Sequence, residues 1–287
     1  MKFDSYHPII HLIYFVTAIT CALSLKHPVF LGISFVCAFL YSIKLGGRKV
    51  LLFNFILMML ALFYGVFYAS YEHFGMTELW KNFIGNSITL EALLYGMTKG
   101  VVGAAVCMWL FCVFQLITTD KIVYLLGRIS PHLSLFFSIL LRTIPRVNDR
   151  AKEIETAREG IGKGVNQGKM WEKILHFFRV LSILITWLME SFIESANSMK
   201  SRGYSLKERT AYSIYRFDYR DGCLLGGFFV GILLVITAVL TGETKVYFDP
   251  MIWISPVTVK SFIYYAGYVI FLLLPPGLQI FAERKFS

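Results

Sequence analysis

The sequence gathers its apolar residues into long runs, and that clustering limits the fold more than any other feature. The runs extend from Ile9 to Leu25, Val29 to Ile43, Val50 to Ser70, roughly Ala92 to Thr118, Cys223 to Leu240 and Ser261 to Leu274. A helix needs roughly 20 largely apolar residues to cross the hydrocarbon core of a bilayer. The first run is short and is joined to the second by a tight Lys26-His27-Pro28 connection. A second span follows it within a few residues, so the first run is not expected to be a cleavable signal peptide. Composition agrees with a lipid setting. Of the 287 residues 56% are hydrophobic and only 16% charged, with a mean hydropathy of +0.62, whereas soluble domains are about 25% charged. The expected fold is an all-α membrane protein with about six transmembrane helices.

Charge placement gives the expected orientation. The net charge is +10, which in a soluble chain would suggest a nucleic-acid partner. Here 17 of the 28 Lys and Arg fall between Thr119 and Gly222, together with 11 acids. With Lys2, the Lys44–Lys49 loop and the Arg284-Lys285 tail, 23 basic residues share one side of the membrane; Lys26, Lys81, Lys99, Lys245 and Lys260 occupy the other. Basic residues accumulate on the cytosolic side of membrane proteins. Both termini and the insert are therefore expected in the cytosol, and no nucleic-acid partner is expected. Cys21, Cys37, Cys107, Cys112 and Cys223 lie in or beside apolar runs without zinc-ligand spacing, and their odd number argues against a disulfide framework.

The expected division is a block of four spans at 1–118, a coupling region at 119–222, and two further spans with a short cytosolic tail at 223–287. The middle region reads as a large cytosolic insert of long amphipathic helices. Leu140, Ile144, Val147, Ala151 and Ile154 recur at helical spacing, with Arg142, Arg146, Asp149 and Glu153 on the other face. Pro145 lies in this pattern and is expected to kink or start the helix, and the helix should stop where Gly160, Gly162 and Gly164 crowd together. A second helix, from Lys173 to Arg202, carries an apolar stripe of Phe178, Leu181, Ile185, Leu188 and Phe192. Its polar stripe holds His176, Arg179, Ser182, Thr186, Glu190, Glu194 and Asn197. A continuous polar face is costly in lipid, so this helix is expected at the membrane surface or beneath the bundle, its stripe turned to a membrane-embedded partner.

Both helices finish on a small residue, an arginine and a turn: Ala157-Arg158-Glu159-Gly160 and Ser201-Arg202-Gly203. A cation in the last turn is favoured by the helix dipole by about 0.3–1 kcal/mol. Two such endings in one region suggest, beyond that, two docking elements, because a guanidinium beside small residues can enter a groove and pair with carboxylates there.

Between Thr118 and Gly203 the sequence resembles the transmembrane T component of energy-coupling factor transporters, the EcfT/CbiQ family. The resemblance runs through Thr118-Thr119, the Leu-Gly-x-x-x-Pro stretch from Leu126 to Pro131, Leu141-Arg142-Thr143-Ile144-Pro145, and Met199-Lys200-Ser201-Arg202-Gly203-Tyr204. In that family a small-Arg-small tripeptide ends each of two cytosolic coupling helices and docks on an ATPase. By resemblance the docking residues are Ala157, Arg158 and Glu159 and then Ser201, Arg202 and Gly203, with Glu159 departing from the family's small residue. The resemblance implies a non-catalytic subunit of an ATP-driven importer in a bacterial or archaeal cell membrane. It implies two cytosolic ABC ATPases as partners and a small membrane subunit that binds a vitamin or metal ion. The stripe from Phe178 to Phe192 suits contact with that subunit.

Other classes fit less well. The Gly160–Lys169 stretch has neither phosphate-loop spacing nor a preceding strand, and Met170 stands where a Ser or Thr would be. An intramembrane prenyltransferase would need two acidic clusters, and Asn148-Asp149 with Glu153 supplies at most half of one. His7 and His11 are spaced for a metal but have no third ligand. No metal or cofactor is expected. A secondary transporter would place ionisable groups at mid-membrane, whereas Lys99 lies toward the outer edge of its span. A conventional ABC permease would dock through one Glu-Ala-Ala-type loop, and none is found.

Overall fold

The computed structural model describes residues 3–72, 74–81, 87–165, 169–204 and 215–286. The chain forms two compact units, one of residues 1–118 with 215–287 and the other of residues 119–214. The first contains α1 (Pro8–Ser24), α2 (Pro28–Gly46), α3 (Arg48–Tyr71), α4 (Leu90–Leu116), α8 (Tyr219–Leu240) and α9 (Val259–Phe286). Two short antiparallel ladders complete it: β1 (Glu78–Lys81) with β2 (Ser87–Thr89), and β3 (Val246–Tyr247) with β4 (Trp253–Ile254). The second contains α5 (Thr119–Ile129), α6 (Pro131–Gly160) and α7 (Met170–Ser201). Among the described residues six helices are long and apolar enough to cross a membrane. The protein is a multi-pass, all-α membrane protein.

The six are not the six expected. At 17 residues α1 is short for a span, whereas α7 is long and apolar enough to cross a membrane. The expected surface placement of α7 rests on its polar stripe, whereas its length and apolar content suffice for a span.

Repeated local devices set the helix starts. His7 and His27 each precede a proline at the first helical position, where a missing N–H costs nothing. Each accepts a backbone N–H through Nδ1, from Ile9 at 3.3 Å and from Val29 at 3.4 Å. Burial lowers the pKa of His27, which keeps its ring neutral and able to accept. The Asp221 carboxylate accepts the N–H of Asp218 at 3.0 Å, closing the first turn of α8, and the N–H of His7 at 3.4 Å. The starts of α1 and α8 are thereby tied. His7 thus caps α1, and His11 lies against Phe3 with ring centroids 4.4 Å apart. Among the described residues no three His, Cys, Asp or Glu side chains group as metal ligands.

The core of this unit is aromatic. Tyr14, Trp109, Phe228 and Phe271 are buried together, with the rings of Tyr14 and Phe228 stacked at 5.4 Å. Pro275 and Pro276 sit inside α9. A proline supplies no N–H to the carbonyl four residues earlier, which deprives Leu272 of its helical partner at Pro276. The Tyr14 hydroxyl donates to that carbonyl at 2.9 Å.

Close approach of backbones joins α3 to α4. A Cβ on Gly100 would lie 2.4 Å from the Ala61 carbonyl oxygen, and one on Gly96 would lie 2.8 Å from that of Gly65. The pairs Ala61/Gly65 and Gly96/Gly100 form a small-xxx-small contact on both helices. Gly103 has nothing within 4 Å of its added Cβ, so the glycine row on α4 is structural over only part of its length. Replacing Gly100 with Ala should lower stability by about 1–3 kcal/mol through overpacking, read as a lower unfolding temperature in detergent, whereas Gly103→Ala should leave it unchanged. Equal effects at the two positions would contradict the close packing of α3 on α4.

Candidate functional site

The second unit carries the residues that the sequence singles out. Within it α5 and α6 form a helical hairpin, with the Ser134 hydroxyl donating to the Val123 carbonyl at 3.0 Å and Pro131 at the first turn of α6. Pro145 lies inside α6, which continues through it to Gly160. The proline therefore interrupts one hydrogen bond without starting a new helix. The start of α7 is closed by the Lys169 N–H donating to the Glu172 carboxylate at 2.8 Å, three residues earlier than the spacing predicts.

Both helices end in the same hydrogen-bond pattern. At the end of α6 the N–H of Lys163 reaches the carbonyl of Arg158 at 2.9 Å and that of Gly162 reaches Glu159 at 3.0 Å. At the end of α7 Tyr204 reaches Met199 at 3.2 Å and Gly203 reaches Lys200 at 3.1 Å. These are two Schellman motifs, each with a left-handed glycine just past the cap: Gly162 at φ 72° and Gly203 at φ 78°. The two arginines do not occupy equivalent places in them. Arg202 is the C-cap residue itself, one before its glycine, whereas Arg158 lies four before its own. Two endings that look alike as tripeptides differ by three residues in the motif that sets side-chain direction.

That offset changes what each arginine can do. Arg158 folds back on its own loop, with Nε donating to the Lys163 carbonyl at 3.3 Å. Its neighbour Glu159 leans on Gly164, where an added Cβ would meet Cγ of Glu159 at 2.4 Å. Ala157 is exposed beside them. Arg202 is exposed with Ser201, and it lines a cavity of about 450 Å³ between α6 and α7. Arg142 and Arg146 line the same cavity from α6, and Glu194, Trp187 and Phe192 line it from α7. Sequence alone puts Arg142 and Arg146 on the polar face of α6 and does not join them to Arg202. Their spacing of four is the available signal, since residues i and i+4 share a helix face; that Arg202 meets them depends on how the helices cross.

The stripe of α7 is open. Phe178 is 61% exposed and Ile185 52%, and Leu181 and Phe192 are exposed as well, with Leu188 half-buried. The buried residues of α7 are Val180 and Leu184. The polar pair Asp149 and Glu153 lies exposed on α6, with Glu153 ion-paired to Arg150 at 2.6 Å. The described part of the glycine-rich stretch, up to residue 165, follows the end of a helix; residues 166–168 lie outside the described residues.

No protein-family model matches the chain, and no curated protein matches it.

If the stripe is free of contacts within its unit, polar substitution should cost little there. Leu181→Ser with Ile185→Ser should change the unfolding temperature of the detergent-solubilised protein by no more than surface changes do, within about 0.5 kcal/mol each. Leu184→Ser should cost about 2–4 kcal/mol by opening a buried site to a hydroxyl. The reverse ranking would mean that the stripe packs internally.

Proposed function

We propose that this chain is the transmembrane coupling subunit of an energy-coupling-factor-type importer. In this reading α6 and α7 lie on the cytosolic side, and their ends dock on two ABC ATPases. A separate small membrane subunit binds the vitamin or metal ion and rides on the apolar stripe of α7. The chain itself does no chemistry.

The observation that carries this reading is the make-up of the second unit. Two amphipathic helices of 30 and 32 residues each end in a Schellman motif with an arginine at or near the cap, and one of them leaves an apolar stripe uncovered by its own unit. A helix end offers fixed geometry for docking, and an apolar stripe offers a surface along which a membrane partner can move. Packed against each other, the helices can convert a displacement of their ends into a displacement of that stripe. The polar stripe, with Glu190 and Glu194, favours an interfacial position for α7 over a lipid-surrounded one.

The two ends are unequal in this mechanism. The guanidinium of Arg202 lines an open cleft, ready to enter a carboxylate-lined groove. Arg158 must first give up its bond to the Lys163 carbonyl. Arg202→Glu should weaken ATPase association by about 2–5 kcal/mol and abolish coupled uptake, with membrane insertion intact. Arg158→Glu should cause a smaller loss of association. Co-purification of the ATPases with each variant measures this, and unchanged association and uptake in Arg202→Glu would overturn the assignment.

A further inference from the structure

The cleft between α6 and α7 carries a charge arrangement of which the proposed docking uses Arg202 alone. Arg142 and Arg146 stand one turn apart on α6 and face the same cavity as Arg202, at the end of α7. Among the described residues none of the three makes an ion pair. Among the described residues the single carboxylate lining the cavity is that of Glu194, which leaves them two positive charges in excess. Arg142, Arg146 and Arg202 are exposed to solvent, so water screens part of their mutual repulsion, and an anion entering the concavity would relieve the rest.

We infer that this cleft binds a phosphate monoester or free phosphate. The charge is matched: a monoester carries about −1.5 to −2 at neutral pH, against an excess of two. The donors are matched as well. Guanidinium forks pair with two phosphate oxygens at once, which ammonium groups cannot do, and all three cations here are arginines. The hydroxyls of Ser191, Ser195 and Ser198 line the α7 wall at three- and four-residue spacing and supply further donors. A lone carboxylate would leave one charge uncompensated. The volume of about 450 Å³ exceeds what a phosphate group fills, and Trp187 and Phe192 line the same cavity. The site therefore has room for an apolar chain attached to the phosphate. The phosphate could come from the headgroup of a phosphatidic-acid-type lipid or from solution. The site rests on the helix crossing and its charges and does not depend on the coupling role.

Binding to the full chain purified in neutral detergent tests this, with dioctanoyl phosphatidic acid and inorganic phosphate as probes. Dioctanoyl phosphatidylcholine serves as the neutral comparison. Saturable binding of phosphatidic acid is expected, with phosphatidylcholine not binding. The double variant Arg142→Gln/Arg146→Gln should weaken it by about tenfold or more, since removing one charge-assisted hydrogen bond already costs about a factor of ten. Arg179→Gln, on α7 outside the cavity, should leave it unchanged. Phosphatidic acid binding far more tightly than inorganic phosphate identifies the lipid as the source, whereas comparable affinities identify free phosphate; either result supports the site. Absence of saturable binding of both probes to the unmodified chain overturns it. So does equal affinity in the double variant, whose folding is checked by its unfolding temperature.

Discussion

In hydrocarbon every backbone polar group must find a partner within the protein, and the first unit depends on how that requirement is met where two prolines sit inside its last helix. Pro276 leaves the Leu272 carbonyl without its helical donor, and the Tyr14 hydroxyl supplies one from α1. An unmet carbonyl there would cost about 1–3 kcal/mol. The bond fixes α1 against α9, and the ring that carries the hydroxyl stacks on Phe228 of α8 and meets Trp109 of α4 edge-on. This explains how α1, the shortest apolar helix of the unit, comes to hold so many of its buried residues.

The remaining contacts in this unit follow the same economy. The helix α3 exposes large apolar residues along most of its length and is joined to α4 by backbone proximity at Ala61, Gly65, Gly96 and Gly100. Lipid is as apolar as a leucine side chain, so association here relies on close packing and on hydrogen bonds. Asn54 of α3 makes one such bond, donating to the Ser42 hydroxyl of α2 at 2.6 Å. Lys99 rests over the rings of Tyr68 and Tyr95 at 4.7 and 4.5 Å, which shelters a charge within α4. The second unit is built differently. Its helices are two-sided, its buried face is narrow, and much of its apolar surface is left for something outside the unit. The proposed role follows from that contrast between a packed scaffold and an uncovered lever.

Much of this was legible in the sequence, and what was not has identifiable physical causes. Apolar run length located every helix of the first unit, because lipid imposes a minimum length and hydrophobicity. By that minimum α1, at 17 residues, is short and α7 is long enough, and neither length nor average apolarity registers which face of a helix is apolar. Gly96 and Gly100 stand four residues apart in the sequence, but nothing there marks Ala61 and Gly65 on α3 as their partners, because small residues scattered in an apolar run carry no pattern of their own. Schellman endings were foreshadowed by Gly162 and Gly203. The inequality of Arg158 and Arg202 was not, since it depends on which residue becomes the cap. Arg142 and Arg146 look like a solvated face until the crossing of α6 and α7 brings Arg202 to them.

The central claim is that this chain couples two ATPases to a membrane-embedded substrate-binding subunit. Affinity purification of the tagged protein from its native membrane in mild detergent, followed by mass spectrometry of the bound proteins, tests it most directly. Recovery of two P-loop ATPase subunits together with a small, strongly hydrophobic protein is expected. Recovery of the chain alone, or only with further copies of itself, would contradict the claim.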